Sequence, residues 1–301
     1  MVNSSDSRIA VVGIGAIGFP IARRLVQAGY DVVGVEPASS GRARAAQEGI
    51  ACVPSIADVG ERDVVVVLVA TGEQLLDVVR SAIDARAELD GKTWVIVSTV
   101  GPADAREAAR LLTDSGARVV DAPVTGGVPG AETGRLKFLA AGPPAAIAET
   151  REVLAELGEV LTVGASPGDG QAMKLVNQLC SSTHLVVAAE AVAVAASFGL
   201  DPARAVEVIS GGSGSSWYLD DRGPRMADRT ATATLTRLAI LAKDNGLVAA
   251  EADRRGAFVP MLEAARQQYR RAAEMGLLEA DDSQIVQTYL ARDAQRETSA
   301  S

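Results

Sequence analysis

The stretch Arg8-Ile9-Ala10-Val11-Val12-Gly13-Ile14-Gly15-Ala16-Ile17-Gly18 decides the fold. A short, mostly apolar run leads straight into three spaced glycines. Helical spacing then follows at Ile17, Ile21, Leu25 and Ala28, and Gly29 stops it. A lone Gly-x-Gly-x-x-Gly carries little weight, but between a strand and a helix it has a mechanical purpose. Gly13 makes the tight turn, Gly15 lets the backbone approach a pyrophosphate, and Gly18 lets the helix pack on the sheet. The helix start adds free N–H groups and a partial positive charge for the phosphates. The spacing predicts a dinucleotide site that includes the loop residues Ala16 and Ile17.

The same rhythm continues outward from this unit. Further strands are expected at 31–35, 63–69, 94–98 and 118–121, with helices over 74–87 and 103–115 between them. Val64-Val65-Val66-Val67-Leu68 is a continuous apolar run, as in strands buried on both faces of a parallel sheet. Alternating β and α segments imply a doubly wound, Rossmann-type α/β fold. Residues 136–140 and 160–163 add one or two strands. After Gly164-Ala165-Ser166-Pro167-Gly168 the pattern changes, and 171–198 reads as one long helix without internal Gly or Pro. The expected division is a cofactor domain over 1–165 and an all-helical substrate and oligomerisation domain over 166–301. Residues 3–7 and 295–301 are expected to fray.

Composition narrows the function. The chain has 301 residues, 48% of them apolar, and a net charge of −9. That length suits two domains, and the acidic balance argues against nucleic acid as a partner. The apolar run 64–70 is far shorter than the ~20 residues that cross a bilayer, so no membrane association is expected. Residues 1–7 show no basic or apolar leader pattern. Cys52 and Cys180 both lie among apolar neighbours and read as inert core thiols of a reduced, cytoplasmic protein. His184 is the single histidine, which excludes a zinc site built on several histidines and makes a Ser-His-Asp triad a poor fit. No metal is expected.

Several polar groups stand out against this background. Glu36 ends the second strand, where a carboxylate accepts hydrogen bonds from ribose hydroxyls and repels a 2′-phosphate. This favours NAD, while Arg42 and Arg44 nearby keep NADP open or simply form a solvated helix face. Val69 and Ser98-Thr99 end strands at the carboxyl edge of the sheet, where ligands bind in such folds. Thr99 would lie against the nicotinamide ribose or the substrate. Thr125-Gly126-Gly127 is a turn whose N–H groups suit a carboxylate, or a purely structural turn. Lys174, Asn177, Gln178 and Ser181 fall at i, i+3, i+4 and i+7, one polar stripe on an Ala/Val/Leu helix. Such a stripe faces water or lines a site. Trp217 walls a pocket or belongs to the core, and Lys243-Asp244 is a surface ion pair or part of a site.

Asp121-Ala122-Pro123-Val124-Thr125-Gly126-Gly127 and Gly168-Asp169-Gly170-Gln171-Ala172-Met173-Lys174-Leu175-Val176-Asn177, with the glycine loop and Lys243-Asp244, resemble the β-hydroxyacid dehydrogenase family. The resemblance covers essentially the whole chain. Asn177-Gln178-Leu179 and the segments 215–217 and 221–226 look most like its L-threonate dehydrogenase branch. The resemblance implies NAD(P)-dependent hydride transfer from a small 3-hydroxy or 2,3-dihydroxy carboxylate, with Lys174 as general acid/base. It implies that Asn177 holds the lysine or the substrate oxygen, and that Gln178, standing where many members have a second Asn, is a substrate-binding residue. It places Lys243 near substrate and cofactor, and it implies a homodimer or homotetramer. Thr125 replaces the family's usual Ser and keeps the hydroxyl; Gly101 replaces a usual polar residue. A tartronate semialdehyde-type reductase would use the same groups in reverse. An imine reductase usually lacks the lysine, and a non-catalytic dinucleotide-binding module would not need Lys174, Asn177 and Thr125 together.

Overall fold

Six parallel strands form the heart of the first unit: β1 (Arg8–Val12), β2 (Asp31–Val35), β3 (Ala51–Val53), β4 (Val64–Val67), β5 (Thr93–Ile96) and β6 (Arg118–Asp121). Their spatial order, β3-β2-β1-β4-β5-β6, reverses direction at β1 and β4. This computed structural model describes residues 7–85, 89–228 and 233–290. The expected fraying at 3–6 and 295–301, and the end of the expected helix at 86–87, lie outside these residues.

Side chains along the strands alternate between two cores. Ile9, Val11, Val64 and Val66 join one cluster, with Ile21 and Leu25 of α1 (Gly18–Gln27). Ala10, Val12, Val65 and Val67 join the other, with Leu75 and Val79 of α3 (Gly72–Asp84) and Leu112 of α4 (Pro102–Asp114). The short helix α2 (Ser39–Gln47) follows β2. Helices on both faces explain why the strands read as uninterrupted apolar runs.

Two strands end earlier than expected. Ser98 Oγ donates to Val67 O at 3.3 Å and accepts from Val69 N at 2.7 Å, which turns both chains out of the ladder. The sheet then departs from parallel pairing. β7 (Val124–Thr125) and β6 both pair antiparallel with β8 (Leu136–Ala141), which pairs parallel with β9 (Gly158–Gly164). Helices α5 (Gly127–Thr133) and α6 (Pro144–Ala155) connect these strands.

The compact units are Met1–Lys174 and Leu175–Ser301. The division falls beyond residue 165 because the start of α7 (Asp169–Ser197) is bonded to the sheet, with Gly168 N and Gln171 N donating to Asp121 Oδ2. The second unit contains the rest of α7, α8 (Pro202–Ile209), α9 (Trp217–Ala227), α10 (Leu238–Arg255) and α11 (Pro260–Glu274). Its core gathers Leu185, Ala189 and Val192 of α7 around Leu219, Leu241, Tyr269 and Ile285. By length and composition α7 could cross a membrane, but these residues are buried against protein. Within this unit Arg222 reaches Asp282, and Arg225 reaches both Asp281 and Asp282, at 3.1–3.3 Å. The 221–226 segment is thereby an internal ion-pair cluster.

Phe138 on β8 has no solvent exposure. Phe138→Ala should destabilise the first unit by about 3–5 kcal/mol, read as a lower denaturant midpoint. An unchanged midpoint would contradict this description of the core.

Candidate functional site

The glycine loop is shaped by contacts that exclude side chains at two of its three glycines. Gly13 has φ +91°, and a Cβ there would lie 2.2 Å from Leu68 O; at Gly18 it would lie 1.9 Å from Gly13 O. At Gly15 a Cβ would meet nothing within 4 Å. Folding needs the outer two glycines, while the middle one leaves open space above an exposed backbone. Helix α1 begins at Gly18 with no side-chain cap and no acidic residue in its first turn, which suits an anionic ligand. Ala16 is exposed and Ile17 half-buried on the same loop. The loop lies beside the end of β4, where Val69 follows Leu68. These residues fit a dinucleotide pyrophosphate.

Past β2, Glu36 is turned onto its own loop: Oε1 accepts from Ala38 N at 3.0 Å. Two arginines crowd this corner. Arg42 Nη1 donates to Glu36 O at 2.9 Å, and Arg44 Nη2 donates to Ile14 O at 2.7 Å while its guanidinium sits 4.8 Å from the Phe19 ring centroid. Neither is a free-standing member of a solvated face. Arg44 touches the glycine loop itself.

At the carboxyl end of β5, half-buried Thr99 lies on a loop held from both flanks by Gln171. The Gln171 amide donates to Ser98 O at 2.9 Å and accepts from Val100 N and Gly101 N at 3.0 and 3.1 Å. Its second N–H bond goes to Asp121 Oδ1 at 2.8 Å. Asp121 is fully buried. Burial pushes its carboxyl pKa up, and the hydrogen bonds from the Gln171 side chain and from the backbone N–H groups of Gln171, Gly168 and Gly170 oppose the rise. Sequence reasoning assigned no role to either residue. The available signal was spacing, since Gln171 stands one turn before Lys174 on the same polar stripe. Lys174 follows with 7% exposure.

Thr125 ends β7 half-buried, and Gly126 and Gly127 follow exposed with φ of +116° and +60°. Only glycine adopts two successive positive φ values cheaply, so the turn carries no side chains where its backbone meets solvent.

In the second unit Asn177, Gln178, Lys243 and Asp244 are joined. Asn177 Nδ2 donates to Gln178 Oε1 at 2.8 Å and to Ser181 Oγ at 3.3 Å. Gln178 Nε2 donates to Asp244 Oδ2 at 2.5 Å, and Lys243 Nζ lies 3.1 Å from Asp244 Oδ1. That ion pair lacks hydrogen-bond alignment. Gln178 and Asp244 are buried and committed to protein partners, whereas Asn177 and Lys243 remain partly exposed. Trp217 is 62% exposed, so it is not a core residue; Arg222 stacks on it at 4.8 Å. Cys180 is exposed, against the expectation of a core thiol, whereas half-buried Cys52 packs against the core of the first unit. Cys180 lies on the outward side of α7, which helical spacing alone does not reveal. His184 is also exposed.

Comparison with known proteins agrees across the chain. Residues 8–164 match the profile described as the NAD binding domain of 6-phosphogluconate dehydrogenase. Residues 168–289 match that described as NAD-binding of NADP-dependent 3-hydroxyisobutyrate dehydrogenase. L-threonate dehydrogenase of Cupriavidus necator is 34% identical over 284 residues, covering 93% of this chain and 95% of that protein. The crystal structure of 3-hydroxyisobutyrate dehydrogenase from Salmonella typhimurium aligns with TM-score 0.84 and 30% identity, covering 94% of this chain and 99% of that one. The Mycobacterium tuberculosis 3-hydroxyisobutyrate dehydrogenase solved with L-serine aligns with TM-score 0.84 and 29% identity, at 94% and 99% coverage.

Gly15→Val separates ligand space from folding space. Its melting temperature should stay near that of the unmodified protein, while the NADH dissociation constant rises at least about tenfold, or ~1.4 kcal/mol. Unchanged NADH affinity in fluorescence titration would show that the space above Gly15 is not the phosphate cradle.

Proposed function

The chain belongs to the β-hydroxyacid dehydrogenase family of NAD(P)-dependent oxidoreductases, and on that premise we propose that it oxidises a small 3-hydroxy or 2,3-dihydroxy carboxylate of the L-threonate type. Bound nicotinamide dinucleotide supplies the hydride acceptor. Lys174 takes the proton from the substrate hydroxyl as the carbinol carbon gives up hydride, and returns it in the reverse direction. The observation that carries this reading is a lysine at 7% exposure on the polar stripe of an Ala/Val/Leu-rich helix, at the position where the family has its acid/base.

The other roles follow from chemistry and resemblance. Asn177 holds the Lys174 amine or the substrate oxygen. Thr125 and the N–H groups of Gly126 and Gly127 take the substrate carboxylate, and Lys243 adds positive charge. Gln178 and Asp244, bonded to each other, orient Asn177 and Lys243 in place of touching substrate. Trp217 is a wall residue. The cofactor is held by Gly13, Gly15, Ala16, Ile17 and Gly18, with Val69 and Thr99 farther along it.

NAD is preferred through Glu36. Arg44 on the glycine loop and Arg42 on the Glu36 carbonyl support some use of NADP. The first unit serves the cofactor and also carries Thr125 and Lys174; the second serves the substrate and self-association. Self-association as a homodimer or homotetramer is supported by the exposed apolar residues Val187, Val194 and Phe198 along α7, and the reading places the protein in the cytoplasm.

Lys174→Ala tests the assignment. Turnover of L-threonate or a related hydroxy acid should fall below about one-thousandth of the unmodified rate, within the usual worth of a general acid/base, with the NADH dissociation constant nearly unchanged. Turnover within a few-fold of the unmodified protein would sink the role of Lys174. In the unmodified protein, initial rates should be higher with NAD than with NADP; the reverse order would overturn the reading of Glu36.

A further inference from the structure

Asp121 and Gln171 form a junction at the start of α7 in which neither side chain has any solvent exposure. Every hydrogen-bonding position of the Gln171 amide is used. Its two N–H bonds go to Ser98 O and Asp121 Oδ1, at 2.9 and 2.8 Å, and its oxygen takes Val100 N and Gly101 N, at 3.0 and 3.1 Å. Asp121 Oδ2 takes the N–H groups of Gly168 and Gln171 at 2.8 and 3.0 Å. The backbone is clamped as tightly. A Cβ on Gly170 would stand 2.6 Å from Leu139 O and 2.7 Å from Asp121 O, so the helix start is seated directly on β6 and β8. One residue is therefore fixed to the sheet through both its backbone and its side chain. Lys174 stands one helical turn later.

Such a junction is an expensive way to hold a helix. A buried carboxylate loses its hydration, and well-packed apolar residues of similar volume are often as stabilising or more so. A fully satisfied buried polar network delivers a single geometry. Two features depend on that geometry within the first unit: the loop 98–101 carrying Thr99, and the turn of α7 carrying Lys174. We propose that Asp121 and Gln171 are positioning residues, which fix the Lys174 amine and the Thr99 loop in one mutual arrangement. This rests on the reading of Lys174 as proton acceptor. Neither residue touches reacting atoms; both act through the residues they hold.

Gln171→Met, which keeps the length of the side chain and removes its hydrogen bonds, tests this in the full-length protein. Melting temperature and NADH affinity report folding and cofactor binding. The rate at which acetic anhydride acylates Lys174 across a pH series, read by peptide mass spectrometry, reports the amine itself, with exposed Lys137 as internal control. The expected result is a displaced Lys174 acylation profile with an unmoved Lys137 profile. It should come with a kcat lowered by about tenfold to a hundredfold, the range expected for a misplacement near 1 Å, and an NADH affinity within a few-fold of the original. A folded variant with unchanged acylation profile and unchanged kcat would overturn the proposal.

If Gln171→Met does not fold, Asp121→Asn decides in the same assays, since its amide sets an N–H against a donor of Gln171 or of the 168–171 backbone. A displaced Lys174 acylation profile with a lowered kcat supports the proposal. An unchanged profile with an unchanged kcat would overturn it. Should the unmodified protein oxidise no hydroxy acid, the catalytic reading of Lys174 falls. The acylation arm still stands by itself: a displaced profile supports positioning, and an unmoved one overturns it.

Discussion

The carboxylate of Asp121 lies at the head of a 29-residue helix, buried, and takes the N–H groups of Gly168 and Gln171. A helix start leaves N–H groups unsatisfied and carries partial positive charge, so a buried anion there answers both needs at once. Gln171 carries the same bond onward to the backbone of the loop after β5. Through these few bonds the last strand of the parallel series, the loop bearing Thr99 and the helix bearing Lys174 share one fixed point. Gly170 beside this point leaves no bulk that would lift the helix from the sheet.

A second constraint operates inside the sheet, where β1 lies beside β4. Parallel strands buried on both faces force apolar runs, and the reversal between β1 and β4 leaves an opening at their carboxyl ends. The glycine loop closes down on that opening until only Gly15 has room above it. The cofactor corner is electrostatically mixed. Glu36 opposes a 2′-phosphate, while Arg42 and Arg44 bring two cations to the same corner. Discrimination between the two dinucleotides thus depends on which of these groups reaches the ribose.

Much of this was legible in the sequence. The strands Asp31–Val35 and Arg118–Asp121 stand where their apolar runs place them, because burial on both faces writes itself into composition. The antiparallel turn of β7 and β8 was not legible, since strand periodicity carries no direction. The ends of β4 and β5 were set by one serine hydroxyl bridging them, a contact between residues far apart in sequence. Gln171 escaped notice for the same reason: its partners at 98–101 and 121 are brought to it only by the fold. Cys180 shows the limit from the other side, since apolar neighbours in sequence did not predict its exposure. The segment at 221–226, part of the resemblance to L-threonate dehydrogenase, also supplies arginines to Asp281 and Asp282.

The most direct measurement follows the hydride itself. The protein is incubated with NAD and small hydroxy acids carrying deuterium on the carbinol carbon, L-threonate first and 3-hydroxyisobutyrate, serine and glycerate beside it. Mass spectrometry then reads the cofactor. Deuterium should appear in the NADH formed from L-threonate or a close relative, with a slower rate than for the unlabelled acid. Absence of deuterated NADH from every acid, in a protein that binds NADH, would contradict hydroxy-acid oxidation as the function of this chain.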